Sequence, residues 1–175
     1  MDEKLAKSIG TDVTKFQSGW TAYKSLNQAV AALSSLQRAS LPGAWINHTS
    51  QSYQEAAVIS GSRLLSQNGN LANWIKKNPL PLGLESKWSN ISDRWNGGLK
   101  KFRDKIVAHA VPRQTPEEVS ASIGLTLGDV EQLAKDTASF VDEILQQNDY
   151  PPSAAFPYSD FIERDVKKVI KKLSS

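Results

Sequence analysis

The chain has 175 residues, which is the length of one domain, and its formal net charge of +3 is mildly basic. It contains no cysteine and only two histidines, His48 and His109, which excludes disulfides, thiolate metal sites and a cysteine nucleophile and argues against a multi-histidine metal site. The opening Met-Asp-Glu-Lys precedes no apolar stretch of signal-peptide length, and no apolar run approaches the roughly 20 residues of a membrane span. We therefore expect a cytoplasmic protein with no membrane partner.

Helical periodicity dominates the first half of the chain. Apolar residues recur at spacings of three and four over residues 16–36, and Thr11 suits an N-cap, so the pattern predicts a first long helix from Thr11. Ser40-Leu-Pro-Gly ends this pattern. A second helix is predicted up to Leu65, and a short apolar helix over residues 71–75 precedes a break at Asn78-Pro-Leu-Pro-Leu-Gly.

A third long helix is predicted to begin near Ser86. Gly97 and Gly98 lie inside it and cost roughly 1 kcal/mol each relative to alanine. They permit a close helix crossing or a kink, or they are a tolerated weakness, and the sequence leaves these interpretations open. The apolar stripe of this helix comprises Trp88, Ile91, Trp95, Leu99, Phe102 and Ile106.

The last part of the chain predicts further helices. Thr115-Pro-Glu-Glu is a helix-start pattern, and Thr126 with Asp129 begins another helix. A proline-rich linker follows, and Ser159 caps a final amphipathic helix that ends the chain. The pattern predicts an all-α antiparallel bundle of about five or six helices over residues 1–150, with the linker and the last helix in residues 151–175.

Charge is distributed unevenly along these elements. Residues 76–113 contain nine Lys or Arg and three acids, a net charge of +6, whereas residues 114–163 contain one Lys and ten acids, a net charge of −9. A basic face of this kind is an electrostatic footprint for phosphates. The alternative is a solvated face that compensates an acidic helix beside it, and the sequence alone does not decide between the two.

The densest basic stretch, Lys100-Lys-Phe-Arg-Asp-Lys-Ile-Val-Ala-His109, holds the residues best suited to chemistry. Arg103 offers a fixed fork of donors for a phosphate, and His109 exchanges a proton near neutral pH. Asp104 is placed to orient either side chain. On an ideal helix the step of six positions from Arg103 to His109 places the two residues about 240° apart around the axis and about 9 Å apart along it. The two side chains therefore converge only if the helix loosens before His109 or if a second protomer supplies the partner.

The segment Arg103-Asp-Lys-Ile-Val-Ala-His109 at the end of a long helix resembles the signature of the HEPN superfamily, in which an Arg precedes a His by about four to six positions. Two flanking segments are also similar to the abortive-infection (AbiU-type) branch of that superfamily. They are Ile59-Ser-Gly-Ser-Arg-Leu-Leu before the motif and Leu125-Thr-Leu-Gly-Asp-Val-Glu-Gln-Leu after it, so the resemblance covers roughly residues 50–147.

This resemblance implies a HEPN-like helical bundle that acts as a homodimer and cleaves RNA without a metal or cofactor, by attack of the RNA 2′-hydroxyl on the adjacent phosphorus. It also implies a role in a toxin or phage-defence system, with a neutralising partner protein. Carried over to this chain, His109 is the general base or acid, Arg103 stabilises the charge on the phosphorane, and Asp104 occupies the polar position after the Arg. The basic neighbours expected to bind the substrate are Lys100, Lys101 and Lys105.

Two alternatives to a nuclease stay open. Some HEPN proteins are inactive and serve as interaction or nucleotide-binding modules, and the motif does not separate them from the enzymes. The second alternative is an unrelated helical protein in which Arg103 and His109 are surface residues. It stays open because the bare Arg-to-His spacing arises easily by chance.

Overall fold

The computed structural model describes residues 1–35, 43–104, 121–124, 126–156, 168 and 171, and every regular element among them is helical. The predicted all-α class is therefore confirmed. In this part of the chain, no helix combines the length and the apolarity that crossing a membrane would need. The helices are α1 (Glu3–Ser35), α2 (Gly43–Leu65), α3 (Asn70–Lys77), α4 (Leu84–Arg94), α5 (Lys100–Arg103) and α6 (Leu127–Gln147), with a π-helical turn at Trp95–Leu99 and a 3₁₀ turn at Ser153–Ala155.

The first helix begins at Glu3, well before the predicted start at Thr11. Oδ1 of Asp2 accepts a hydrogen bond from the backbone N–H of Leu5 at 2.7 Å, which is the geometry of an N-cap. Ala6 and Ile9 are fully buried and extend the apolar stripe into this first part of the helix. The prediction was wrong because Thr11, although suited to a cap, lies where the apolar stripe continues on both sides.

The core forms where α1 packs against α2 and α6. Trp20 and Trp95, which lie on predicted apolar stripes, are 1% and 0% exposed, so their predicted place in the core is confirmed. The ring of Trp20 meets Phe102 edge-on with centroids 6.1 Å apart, which joins α1 to α5. Trp88 is partly buried and stacks on Phe140 of α6 at 5.8 Å.

One continuous helix runs from Leu84 to Arg103, because α4, the π-helical turn and α5 follow one another directly. It begins two residues before the predicted Ser86. Gly97 and Gly98 both lie in the π-helical turn, where the helix widens. A Cβ on Gly97 would have no neighbouring described atom within 4 Å, so this glycine serves no close crossing with a described helix. The two glycines therefore lie where the helix departs locally from α-helical geometry.

The start of α6 matches the prediction at Thr126. The Thr126 hydroxyl accepts a hydrogen bond from the backbone N–H of Asp129 at 3.1 Å, and Oδ2 of Asp129 accepts one from the backbone N–H of Thr126 at 2.8 Å. This reciprocal pair is a capping box. The hydrogen bond from the Thr126 side chain lowers the pKa of Asp129 below its ordinary value.

The beginning of the predicted linker packs onto the helices. The backbone carbonyl of Ser153 accepts a hydrogen bond from the Thr14 hydroxyl at 3.0 Å, and its N–H donates to Asp142 at 2.6 Å. The ring of Phe156 lies so close to Gly10 that a Cβ there would come within 2.3 Å of it. The division of the chain at residue 150 stays a prediction, because most of the predicted last helix lies outside the described residues.

Candidate functional site

Four of the six predicted site residues lie in the described part of the chain. Arg103 is the last residue of α5, and Asp104 follows it. Lys100 and Lys101 begin the same short helix and are exposed to solvent. His109 and Lys105 lie outside the described residues, so the structure describes neither their positions nor their contacts.

The backbone that carries Arg103 is fixed by the core. The side chain immediately before it, Phe102, is fully buried, and Leu99 one turn earlier is 1% exposed. These two apolar residues hold one face of the helix against α1 and α2. Arg103 itself is only partly buried, with 28% of its side chain exposed, so its guanidinium group lies at the boundary between the core and solvent.

Two neighbours hold the guanidinium group of Arg103. Its Nε–H donates to Oδ1 of Asp104 at 2.8 Å, and one Nη2–H donates to the same oxygen. One Nη1–H donates to Oγ of Ser62 in α2 at 2.8 Å. Of the five N–H donors of an arginine, two therefore remain without a partner among the described residues. A guanidinium group held in this orientation is suited to bind a phosphate oxygen.

The close approach of α2 that brings Ser62 to Arg103 depends on the residue before it. A Cβ on Gly61 would lie 3.1 Å from ring atoms of both Phe16 and Trp95. A larger residue would therefore push α2 away from the core at this point, and Ser62 would move with it. Ser62 is a candidate site residue that the sequence reasoning missed, and the local signal for it is the small-residue run Ser60-Gly-Ser62.

The basic residues of the helix Leu84–Arg103 do not share one environment. In α4, Nζ of Lys87 contacts the carboxylate of Glu143 at 2.7 Å, and Nη1 of Arg94 contacts Asp136 at 2.5 Å. Both acids lie on α6, so this part of the helix compensates the acidic helix beside it, as the second interpretation of the charge pattern predicts. Within the described residues, neither of the two lysines that begin α5 forms an ion pair.

The backbone geometry at Asp104 bears on how Arg103 and His109 are placed. Asp104 has right-handed helical dihedral angles, φ −62° and ψ −35°, and its backbone N–H donates to the carbonyl groups of Lys100 and Lys101, so the helix stays regular as far as this residue. Loosening of the helix before His109 is one of the two conditions under which the two side chains were expected to converge. Their convergence stays a prediction, because His109 lies outside the described residues.

Arg63, in the last turn of α2, pairs with a buried acid. Its Nη1 lies 3.7 Å from Oδ1 of Asp12 in α1. The carboxyl group of Asp12 is only 6% exposed, and this burial raises its pKa, although the charges of Arg63 and Lys15 oppose the shift. The Arg63 side chain is 63% exposed, so its charge also faces solvent.

Among the described residues, no group of three or more acidic or histidine side chains is arranged to hold a metal ion. Comparisons of the chain with protein-family models, with curated proteins and with solved structures return no match. Any function must therefore be argued from the residues themselves.

Proposed function

We propose that this chain is a HEPN-like endoribonuclease that cleaves RNA without a metal ion, with Arg103 and His109 as its working pair. The observation that carries the proposal is the way Arg103 is held, with Asp104 and Ser62 fixing its guanidinium group at the edge of the core. A preorganised donor of this kind stabilises negative charge that develops in a transition state, because no reorganisation is needed when the charge appears.

The chemistry follows from these two side chains and the RNA itself. His109 takes the proton from the 2′-hydroxyl, the resulting oxygen attacks the adjacent phosphorus, and the bond from phosphorus to the 5′-oxygen breaks. The leaving 5′-oxygen takes a proton from an acid, which a second His109 would supply in a homodimer. The products are a 2′,3′-cyclic phosphate and a 5′-hydroxyl end. Arg103 binds the non-bridging oxygens as their charge grows, and DNA is not a substrate because it lacks the nucleophile.

The exposed lysines beside Arg103 would bind the substrate. Lys100 and Lys101 form no ion pair in the described part of the chain, so each can contact a backbone phosphate without first leaving an acid. Lys105 belongs to the same basic stretch of the sequence. We extend the proposal to a bundle of five or six helices that acts as a cytoplasmic homodimer in a toxin or phage-defence system with a neutralising partner, because the HEPN resemblance implies these properties.

The test is incubation of the purified protein with structured RNA in the presence of a chelator, followed by analysis of the new ends. Wild-type protein should produce 2′,3′-cyclic phosphate and 5′-hydroxyl ends. Arg103→Ala and His109→Ala should each reduce the cleavage rate by at least about 100-fold, since each removes one catalytic contribution. Cleavage that survives both substitutions, or no cleavage under any condition, would exclude the enzymatic proposal.

A second candidate is a HEPN-like binding module without catalysis. The observation that favours it is the ion pair itself, because the Asp104 carboxylate offsets part of the charge that Arg103 would offer a phosphate. In this case Arg103 serves mainly to join α5 to α2 through Ser62. RNA or nucleotide binding without any cleavage would favour this candidate, and size-exclusion chromatography with light scattering would show whether either form is a dimer.

A further inference from the structure

A second cationic site lies away from Arg103, in a surface pocket between the first half of α1, the end of α2 and the start of α3. Its volume is about 320 Å³, at the lower end of the range for ligand pockets. Four cations line it, together with one acid and three neutral polar residues. The cations are Lys4, Lys7, Lys15 and Arg63, and the other lining residues are Ser8, Thr11, Asp12 and Asn70.

The helical repeat places the three lysines on one face of α1. Lys7 and Lys15 follow Lys4 by three and eleven residues, which correspond to rotations of about 300° and 1100° on an ideal helix. These positions differ from that of Lys4 by only about 60° and 20°, so the three side chains form a stripe along the helix. Lys4 and Lys7 are exposed, and neither forms an ion pair with any described residue.

Arg63 completes the pocket from the opposite helix. Its contact with Asp12 at 3.7 Å ties the arginine to α1, yet 63% of its side chain stays exposed while the carboxyl group is buried beneath it. With four cations and one carboxylate, the lining carries a net charge of +3. The lining therefore carries an excess of positive charge, which favours an anion as its ligand.

We propose that this pocket binds a backbone phosphate of an RNA strand, at a position outside the linkage that is cut. The inference rests on the proposed function, because it makes the pocket part of the same RNA-binding surface. Arg63 directly follows Ser62, which contacts Arg103, so the pocket and the candidate catalytic arginine both adjoin the last turn of α2. Lysines recognise a phosphate as point charges, and Arg63 adds a planar fork of donors.

The test measures binding of an uncleavable 2′-O-methyl oligoribonucleotide by fluorescence anisotropy at several salt concentrations. For single strands, each phosphate contact contributes about 0.7 to the slope of log K against log salt. Because the pocket holds one phosphate, the double variant Lys4→Ala, Lys7→Ala should show a slope about 0.7 shallower than wild type. The matched control is Lys24→Ala, Lys135→Ala, which removes the same charge from two lysines that pair with Glu131, and its slope should equal that of wild type.

Equal slopes for the two double variants would overturn the proposal, because the lysines of the pocket would then act only through overall charge. A second measurement uses wild-type protein alone: amide NMR signals of residues 4–15 and 63–70 should shift when the oligonucleotide is added. Inorganic pyrophosphate is the comparison ligand. If pyrophosphate shifts these signals and the oligonucleotide does not, the pocket binds a free phosphate compound and the RNA proposal is wrong.

This experiment separates the pocket from the nuclease proposal, since the oligonucleotide is not cut. Normal cleavage of RNA with no effect of the lysine variants on binding would reject the pocket and leave the nuclease proposal standing. A shallower slope in a protein that never cleaves RNA would reject the nuclease proposal and support a binding module that uses the pocket.

Discussion

The helix from Leu84 to Arg103 carries cations at both ends, but the two ends use them differently. In α4, Lys87 and Arg94 each contact an acid of α6, at 2.7 and 2.5 Å. These contacts connect two helices and neutralise both partners. The sequence pattern of a basic helix followed by an acidic one is, for this part of the chain, explained by the packing of the two helices.

At the other end, in α5, the cations face a different environment. Lys100 and Lys101 have no ion-pair partner among the described residues, and Arg103 bonds to its own neighbour and to a serine hydroxyl. The comparison teaches that the net charge of residues 76–113 overstates the number of cations available to a phosphate, because two of them pair with acids of α6. Within this helix, the candidates for a ligand are the cations that no described acid of another helix engages, and the following predictions test this distinction.

The largest expected difference is between two arginines of this helix. Arg103→Lys keeps the charge but removes the fork of donors, and we expect RNA cleavage to fall by about 100-fold. Arg94→Lys makes the same change at a residue that pairs with α6, and cleavage should stay within about twofold of wild type. Single-turnover cleavage rates measure both. Similar losses in the two variants would show that the ends of the helix are not functionally distinct.

The next prediction concerns the hydroxyl group that holds Arg103. Ser62→Ala removes the hydrogen bond to Nη1, and a bond to a charged group contributes about 1.5–3 kcal/mol. We expect kcat to fall about tenfold with little change in KM, because Ser62 positions the arginine and does not contact RNA. Ser89→Ala on exposed α4 is the control. A fall confined to KM would contradict a positioning role.

The paired end of the helix should matter for stability. Arg94→Ala loses the contact with Asp136 and should lower the free energy of unfolding by up to about 1 kcal/mol, the range for partly exposed pairs. Lys101→Ala should change it by no more than a few tenths, roughly 0.3 kcal/mol. Urea unfolding followed by circular dichroism measures both values. The difference in unfolding free energy between the two variants should shrink at high salt, because salt screens the ion pair. An equal loss of stability in both variants would show that the ion pair of Arg94 does not stabilise the fold.

Much of the helical framework was predictable from local spacing. The stripes that place Trp20 and Trp95 in the core use only residues three and four positions apart, and the capping box at Thr126 uses residues three apart. Such patterns predict which face of a helix is buried, and they do so without information on which helices pack against that face. The start of α1 was missed because Thr11 has the chemistry of a cap inside a continuing apolar stripe.

The candidate site was less predictable, because it depends on which helices meet. Arg103 stood out by its spacing to His109, but Ser62 lies 41 residues away in sequence and is joined to it only by the packing of α2 on α5. The same holds for the α1 lysines and Arg63, which share a pocket through tertiary structure alone. A single sequence carries no signal for contacts of this range, so the partners of each cation had to come from the structure.

The smallest expected effect concerns Asp12, the buried acid under Arg63. Burial raises its pKa in the folded protein, against the opposing charges of Arg63 and Lys15, so the folded state holds this proton more tightly than the unfolded state. Stability therefore falls as pH rises through the interval between the unfolded and the raised folded pKa. Relative to Asp12→Asn, which does not titrate, wild type should lose stability from about pH 4 toward neutral. Urea unfolding of both proteins across this range measures the difference. A difference that does not change with pH would show that Asp12 ionises as easily in the fold as in the unfolded chain, and that its pairing with Arg63 fully offsets its burial.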